Sequence, residues 1–301
     1  MMAAARQGHA LRGEPCYNEP LARRTSWRVG GPAARLYRPA DRDDLIEFLC
    51  GLDADEPLLW LGLGSNLLIE DRGFPGTVME TQGRLTALSM STPTRLRAEA
   101  GVSRAKVARF AIRHGLVGVE LLAGMPGTIG SALAMNAGAW GGETWRHVAL
   151  VHTVDRHGVT RACGRADLET GYRHVVIADG EWFLEAELQL PTGDTGAAQA
   201  RIHALPDRHA AAQPSALRSC GSVFRNPLGD HAARLIEAAG LKGMRIGGAE
   251  VSRKHANFII NTGNASARDI ALLIARVQSE VEHHSGIRLI PEVRRVGELS
   301  S

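Results

Sequence analysis

Apolar residues recur at helical spacing in four stretches of this chain and alternate or cluster in several others. "ADRDDLIEFLC" has an acidic first turn opened by Asp41, which predicts a short helix capped by that residue. "SRAKVARFAIRHG" sets Val107, Phe110 and Ala111 on one face, with Ser103 as the cap and Gly115 as the stop. "HAARLIEAAG" predicts a helix ended by Gly240. "SARDIALLIARVQSEVEHH" predicts a longer one, with Ser266 as cap and an apolar stripe of Ile270, Leu273, Ile274, Val277 and Val281.

"EWFLEAELQL" alternates, with Trp182, Leu184, Ala186, Leu188 and Leu190 on one side, which predicts a half-buried strand. "LLWLG", "NLLIE", "LVHTVDRHG", "ANFIIN" and "IRLIPEVRRVG" also read as strands. The mixture predicts an α+β protein, and the lack of a long βαβ alternation argues against a doubly wound sheet. The expected divisions are a loose N-terminal tail over 1–20, a first unit over 21–79, a second over 80–204 and a third over 205–301. "PTGDTGAAQ" reads as the linker before the last.

Composition narrows the function. A chain of 301 residues with 44% hydrophobic and 22% charged residues is an ordinary globular protein with room for two or three domains. A net charge of +3, scattered basic residues and 5% aromatics exclude a nucleic-acid platform. No apolar run is long enough to span a bilayer, and "MMAAARQGHALRGEPCYNEP" lacks the apolar centre of a secretory signal. Cys16, Cys50, Cys163 and Cys220 are far apart, which disfavours a metal site or disulfide framework and fits the cytoplasm. No metal is expected, and the chain is expected to be a monomer.

Two glycine-rich stretches carry the candidate chemistry. "GLGSNLLI", Gly62 to Ile69, lets backbone N–H groups approach an anion, and Ser65 and Asn66 add neutral donors. It is neither a Walker loop nor the dinucleotide fingerprint, because the spacing differs and no Gly-Lys-Ser/Thr follows. "AGMPGTIGSALAMNAGAWGGE", Ala123 to Glu143, holds six glycines and no positive charge, and offers Thr128, Ser131 and Asn136. A diphosphate held there would rest on N–H groups rather than on Lys or Arg. On the residues alone, flavin, nicotinamide and nucleotide sugar all remain open.

"RVGGPA", "WLGLGSNLLI" and "GVELLAGMPGTIGSALAMNAGAWGGE" resemble the FAD-binding half of the UDP-N-acetylenolpyruvoylglucosamine reductase (MurB) family. "GYR", "CGSVFRNP", "AARLIEAAGLKGMRIGGAEVSRKHANFIIN" and "PEVRRVG" follow in that family's order, so the resemblance runs from Leu21 to Gly297. It implies a PCMH-type FAD-binding fold of two subdomains, like that of vanillyl-alcohol oxidase, followed by a substrate-binding domain. It further implies FAD as cofactor, NADPH as co-substrate, and reduction of UDP-N-acetylenolpyruvoylglucosamine to the muramate. By resemblance the cofactor residues are Gly62, Gly64, Ser65, Asn66, Leu67, Gly127, Thr128, Gly130, Ser131, Asn136 and Gly138. The same comparison makes Ser222 the proton donor, Arg173 and Glu292 its catalytic companions, and Tyr172, Asn226 and His255 substrate contacts.

The short interval from Arg173 to Ser222 resembles the shorter, type II class. Two positions depart from the pattern: Val175 stands where the family commonly has a serine, and Ala212 where it often has a lysine. The competing readings are another FAD oxidoreductase of the same fold and a flavin-binding regulator without catalysis.

Overall fold

The computed structural model describes residues 10–139, 141–214 and 217–297. Its first unit holds β1 (Glu14–Pro20), β2 (Pro32–Arg38), α1 (Arg42–Cys50), β3 (Leu58–Leu61), β4 (Leu67–Ile69) and β5 (Phe74–Glu80). Four of these strands form a sheet in the order β1-β2-β5-β3, with β5 parallel to both neighbours. Asp41 caps α1 as expected, accepting from the Asp44 N–H at 3.0 Å. The buried Asp44 carboxylate in turn accepts from the Tyr37 hydroxyl at 2.8 Å, fixing the helix to the sheet.

The tail expected over 1–20 is corrected in part. Residues 1–9 lie outside the described region, but Glu14–Pro20 pairs antiparallel with β2. Its exposed, nearly patternless side chains hid it, because an edge strand is held by backbone rather than by packing.

The second unit holds β6 (Leu88–Thr92), β7 (Arg95–Glu99), α2 (Arg104–Arg113), α3 (Ile129–Ala134), β8 (Gly138–Ala139), β9 (Gly142–Glu143), β10 (Val148–Asp155), β11 (Thr160–Gly164), β12 (Thr170–Gly171), β13 (His174–Val175), β14 (Glu181–Gln189) and α4 (Thr195–Ala212). Five strands form an antiparallel sheet in the order β11-β10-β14-β7-β6. Strand β14 is central and buried on both faces, not one. Its polar face is covered because its acids are paired: Glu185 with Arg42 at 3.2 Å and His152 at 2.7 Å, Glu187 with Arg97 at 2.7 Å. Leu184 and Val154 join Tyr37, Leu45 and Met79 in one core, so the first two units share their interior.

The expected linker and the boundary at residue 204 are also corrected. Most of "PTGDTGAAQ" belongs to α4, whose start is fixed by Asp194 accepting from the Ala197 N–H at 3.0 Å. Ala198, Ile202 and Leu205 are buried, so α4 packs onto the second unit and the third begins after it.

That third unit holds α5 (Ala232–Ala238), β15 (Arg245–Ile246), β16 (Ala249–Val251), β17 (Ile259–Asn261), α6 (Ala267–Ser285) and β18 (Arg294–Val296). All five predicted stripe residues of α6 are buried against the β15-β16-β17 sheet and α5. The core is completed from the first unit: Trp27 is fully buried in it and donates its indole N–H to the Ile259 carbonyl at 2.8 Å. Asn261 returns a bond to the Trp27 carbonyl at 2.8 Å. Among the described residues no helix is long and apolar enough to cross a membrane.

Asp71 ties the same two units from the other side. Its carboxylate accepts from the Ala267 and Arg268 N–H groups at 2.8 and 3.0 Å, a second cap on α6 beside Ser266. Asp71→Ala is expected to cost about 1 kcal/mol of stability, the usual worth of a cap. Urea unfolding followed by circular dichroism measures it; an unchanged midpoint would mean that the contact contributes nothing.

Candidate active site

The Gly62–Asn66 loop leaves β3 and enters β4 at the seam of all three units. Gly64 sits at φ +66°, and a Cβ there would collide with the Arg24 carbonyl, so the turn excludes other residues. Among the described residues, nothing accepts from the backbone N–H groups of Gly64, Ser65 and Asn66. They form one wall of a cleft of about 600 Å³.

The second glycine stretch faces them, but three of its donors are already engaged. Ile129 and Gly130 donate to the Val102 and Ala100 carbonyls at 2.9 Å each, and Thr128 N–H donates to Ser131 Oγ at 3.1 Å. Free N–H groups are therefore concentrated in the first loop, although the Gly127 N–H of the second also lacks an acceptor among the described residues. What the second loop offers is the Thr128 hydroxyl, buried in the cleft wall with no hydrogen-bond partner. The Trp60 indole N–H, on β3 at the same cleft, is also buried and unpartnered. Orphaned polar atoms beside an open anion cradle fit a nucleotide cofactor that brings its own acceptors.

Arg173 occupies a two-residue turn between β12 and β13, at φ +52°. Asn136 holds that hairpin in place. It is almost fully buried, donates to the Gly171 carbonyl at 2.9 Å and accepts from the Trp145 N–H at 3.2 Å. Its side chain is thus a strut rather than the expected cofactor donor. The Arg173 guanidinium donates to the Gly138 carbonyl at 2.8 Å and pairs through Nε with Glu292 Oε1 at 2.9 Å.

Glu292 arrives from the third unit. Its N–H donates to the Val223 carbonyl at 2.7 Å and its carbonyl accepts from Asn66 Nδ2 at 3.1 Å, which occupies the Asn66 amide. Burial pushes the Glu292 carboxyl up, against the opposing pull of Arg173, Arg225 and Arg104. The proton on this acid is favoured, as expected, although desolvation and not a neighbouring carboxylate is the cause.

Ser222 lines a second cavity of about 240 Å³, which shares Ser65, Asn66, Arg104, Arg173 and Glu292 with the larger cleft. Gly62, Leu67, Gly130 and Ser131 also line the cleft, Gly127 an adjoining one, and Gly138 the Ser222 cavity. The three expected substrate contacts stay outside these walls. Tyr172 is half exposed, with its ring 5.5 Å from the Arg173 guanidinium carbon. Asn226 accepts from the Ala232 N–H at 3.1 Å and so starts α5. His255 packs edge-on against Phe258 at 4.8 Å, and burial lowers its pKa. Each has a structural task that its motif position conceals.

Three cleft residues escaped the sequence reading. Arg225 and Trp60 lie inside the quoted motifs, one residue from Asn226 and two from Gly62, and that adjacency was their one signal. Arg104, the first residue of α2, gave none: a basic residue after a capping serine reads as solvated helix surface. Among the described residues no group of three or more His, Cys, Asp or Glu could hold a metal ion.

A flavoprotein with a PCMH-type FAD-binding fold is the class that this architecture and cleft define. The FAD binding domain family matches residues 33–164, and the C-terminal domain family of UDP-N-acetylenolpyruvoylglucosamine reductase matches residues 213–296. The reductase of Alkalilimnicola ehrlichii is 57% identical over 301 residues, covering all of both chains. That of Methylococcus capsulatus is 56% identical, covering 98% of this chain and 97% of its own. The crystal structure of MurB from Thermus caldophilus superposes with a TM-score of 0.79 at 31% identity, over 95% of this chain and 99% of that one. The chain belongs to the UDP-N-acetylenolpyruvoylglucosamine reductase family, and its short span between Arg173 and Ser222 fits the shorter class.

Asn136→Ala would strand the Gly171 carbonyl and the Trp145 N–H in a buried setting. The expected cost is about 2–6 kcal/mol, from two unpaired groups at about 1–3 kcal/mol each. Thermal unfolding of the variant reports it, and a loss under about 0.5 kcal/mol would contradict the strut.

Proposed function

We propose that this chain reduces UDP-N-acetylenolpyruvoylglucosamine to UDP-N-acetylmuramate, with NADPH as the hydride donor, in the synthesis of peptidoglycan precursors. The observation that carries this reading is the meeting of Arg173, from the second unit, with Ser222 and Glu292, from the third, around one cavity continuous with the cofactor cleft. A hydride and a proton must add across the carbon–carbon double bond of an enolpyruvyl ether. When bound, FAD supplies the hydride, taken from NADPH. The loop at Gly62–Asn66 holds the cofactor diphosphate through its free N–H groups.

Arg173 receives the substrate carboxylate, and its guanidinium offsets the negative charge that grows on that group as hydride arrives. The Gly138 carbonyl and Glu292 fix its orientation. Glu292, whose carboxyl burial shifts toward the protonated form, donates a hydrogen bond to the same enolate oxygen when it carries its proton. Ser222 delivers its hydroxyl proton to the carbon beside the carboxylate and recovers a proton from water. Val175 leaves Arg173 without a hydroxyl from β13, and the Asn136 and Gly138 carbonyls stand in for that support.

Both co-substrates are charged nucleotides that do not cross bilayers unaided, which puts the reaction in the cytoplasm. The residues named complete the site within one chain, so a monomer suffices for the reading, which needs no nucleic-acid or membrane partner.

Two experiments bear on the roles. In Ser222→Ala, reduction of the flavin by NADPH should keep near its parent rate. Reoxidation by the enolpyruvyl substrate should slow by at least about 10²-fold, the scale of a lost general acid. Stopped-flow absorbance separates the halves, and an unchanged second half would remove Ser222 as the acid. The second experiment tests Glu292. Its raised acid must be protonated to act, so parent activity should fall as pH rises through its pKa. Glu292→Gln is neutral at every pH and should lose that fall while retaining partial activity; a preserved fall would assign the titration to another group.

A further inference from the structure

The Arg104 guanidinium is a cation with no carboxylate bound to it. The residue is 5% exposed, and its Nε and Nη2 donate to neutral atoms, the Thr128 carbonyl at 3.3 Å and Ser131 Oγ at 3.0 Å. Nη1 has no hydrogen-bond partner among the described residues. Burial and the nearby Arg173 push its pKa down, to about 10, so it still carries its charge at neutral pH. A buried, unpaired charge of this kind is retained where an anion arrives to meet it.

The surroundings say which anion. Arg104 lines the cleft across which the free N–H groups of Gly64, Ser65 and Asn66 face the loop at Thr128. That loop has already used the N–H groups of Thr128, Ile129 and Gly130 internally. Its own stretch carries no positive charge, so the cation on that wall is the one that α2 lends it. Gly127, at φ +135°, brings the backbone so near that a Cβ would lie 2.9 Å from the Arg104 guanidinium carbon, which pins the side chain against the loop.

We infer that Arg104 is the counter-charge to the diphosphate of the bound flavin dinucleotide, completing from α2 a cradle that the glycine loops leave uncharged. This rests on the reading of the cleft as the FAD site. A diphosphate carries the same charge whether the ring is oxidised or reduced. Arg104 should therefore strengthen binding equally in both states and leave the flavin midpoint potential unchanged. An arginine serving the ring would favour the reduced anion and raise the potential.

The test uses full-length parent, Arg104→Gln and Arg104→Lys proteins, stripped of flavin and titrated with FAD by calorimetry. The parent should bind; failure there would overturn the FAD reading itself. Arg104→Gln should bind about 10–100-fold more weakly, the worth of one charge-assisted bond, with Arg104→Lys between the two. The flavin-free Arg104→Gln protein should melt at or above the parent temperature, because it has lost an unpaired buried charge. Equal affinity in Arg104→Gln, or a lower flavin-free melting temperature with no further loss of flavin affinity, would overturn the proposal. A shifted midpoint potential in the loaded Arg104→Gln protein would overturn it too, and move Arg104 to the ring.

Discussion

The site depends on three residues of parallel pairing. β18 lies beside β4, with Arg294, Arg295 and Val296 in register with Leu67, Leu68 and Ile69. β4 is the direct continuation of the glycine loop, and β18 begins two residues after Glu292. The pairing therefore fixes an acid of the third unit against a cofactor loop of the first. Asn66 sharpens the register, since its amide holds the Glu292 carbonyl and its own carbonyl accepts from the Arg294 N–H at 3.1 Å. Trp27 and Asp71 add one buried and one partly exposed bolt across the same seam.

Charge balance is the second constraint. Arg104, Arg173 and Arg225 all act on the single carboxyl of Glu292, and burial still wins, shifting its pKa upward. The cleft thus holds more positive charge than negative before any ligand enters. Such a surplus is costly in a buried setting and is relieved by anionic ligands. A diphosphate and a substrate carboxylate suit it chemically, and the orphaned Thr128 and Trp60 donors point the same way.

Much of this was legible in the sequence where a signal is local. The caps at Asp41, Ser103 and Ser266 and the stripe on α6 follow from short-range rules, and they stand where the spacing put them. The glycine loops and the family motifs led to the cleft and to Arg173, Ser222 and Glu292. What could not be read depends on partners distant in the chain. β1 is an edge strand without an apolar pattern, and β14 hides paired acids on a face that alternation marks as exposed. Asn136, Asn226 and His255 carry the right chemistry but use it on nearby backbone or on packing. Arg104 reads as solvated surface until α2 is laid against the second loop.

The 226 positions between Asn66 and Glu292 also set an order of events. The two glycine loops and their shared core are made early, and their parts can meet while the chain is still growing. The acid and its strand come from a much later stretch, so the cavity around Ser222 closes only after the third unit has been made. Long closures of this kind are slow and leave edges exposed while they wait. Until then β4 has no neighbour, and a half-made molecule has a place for its cofactor but none for its chemistry. The hydride-transfer centre is completed by the same step that covers β4, which couples reactivity to the arrival of the third unit.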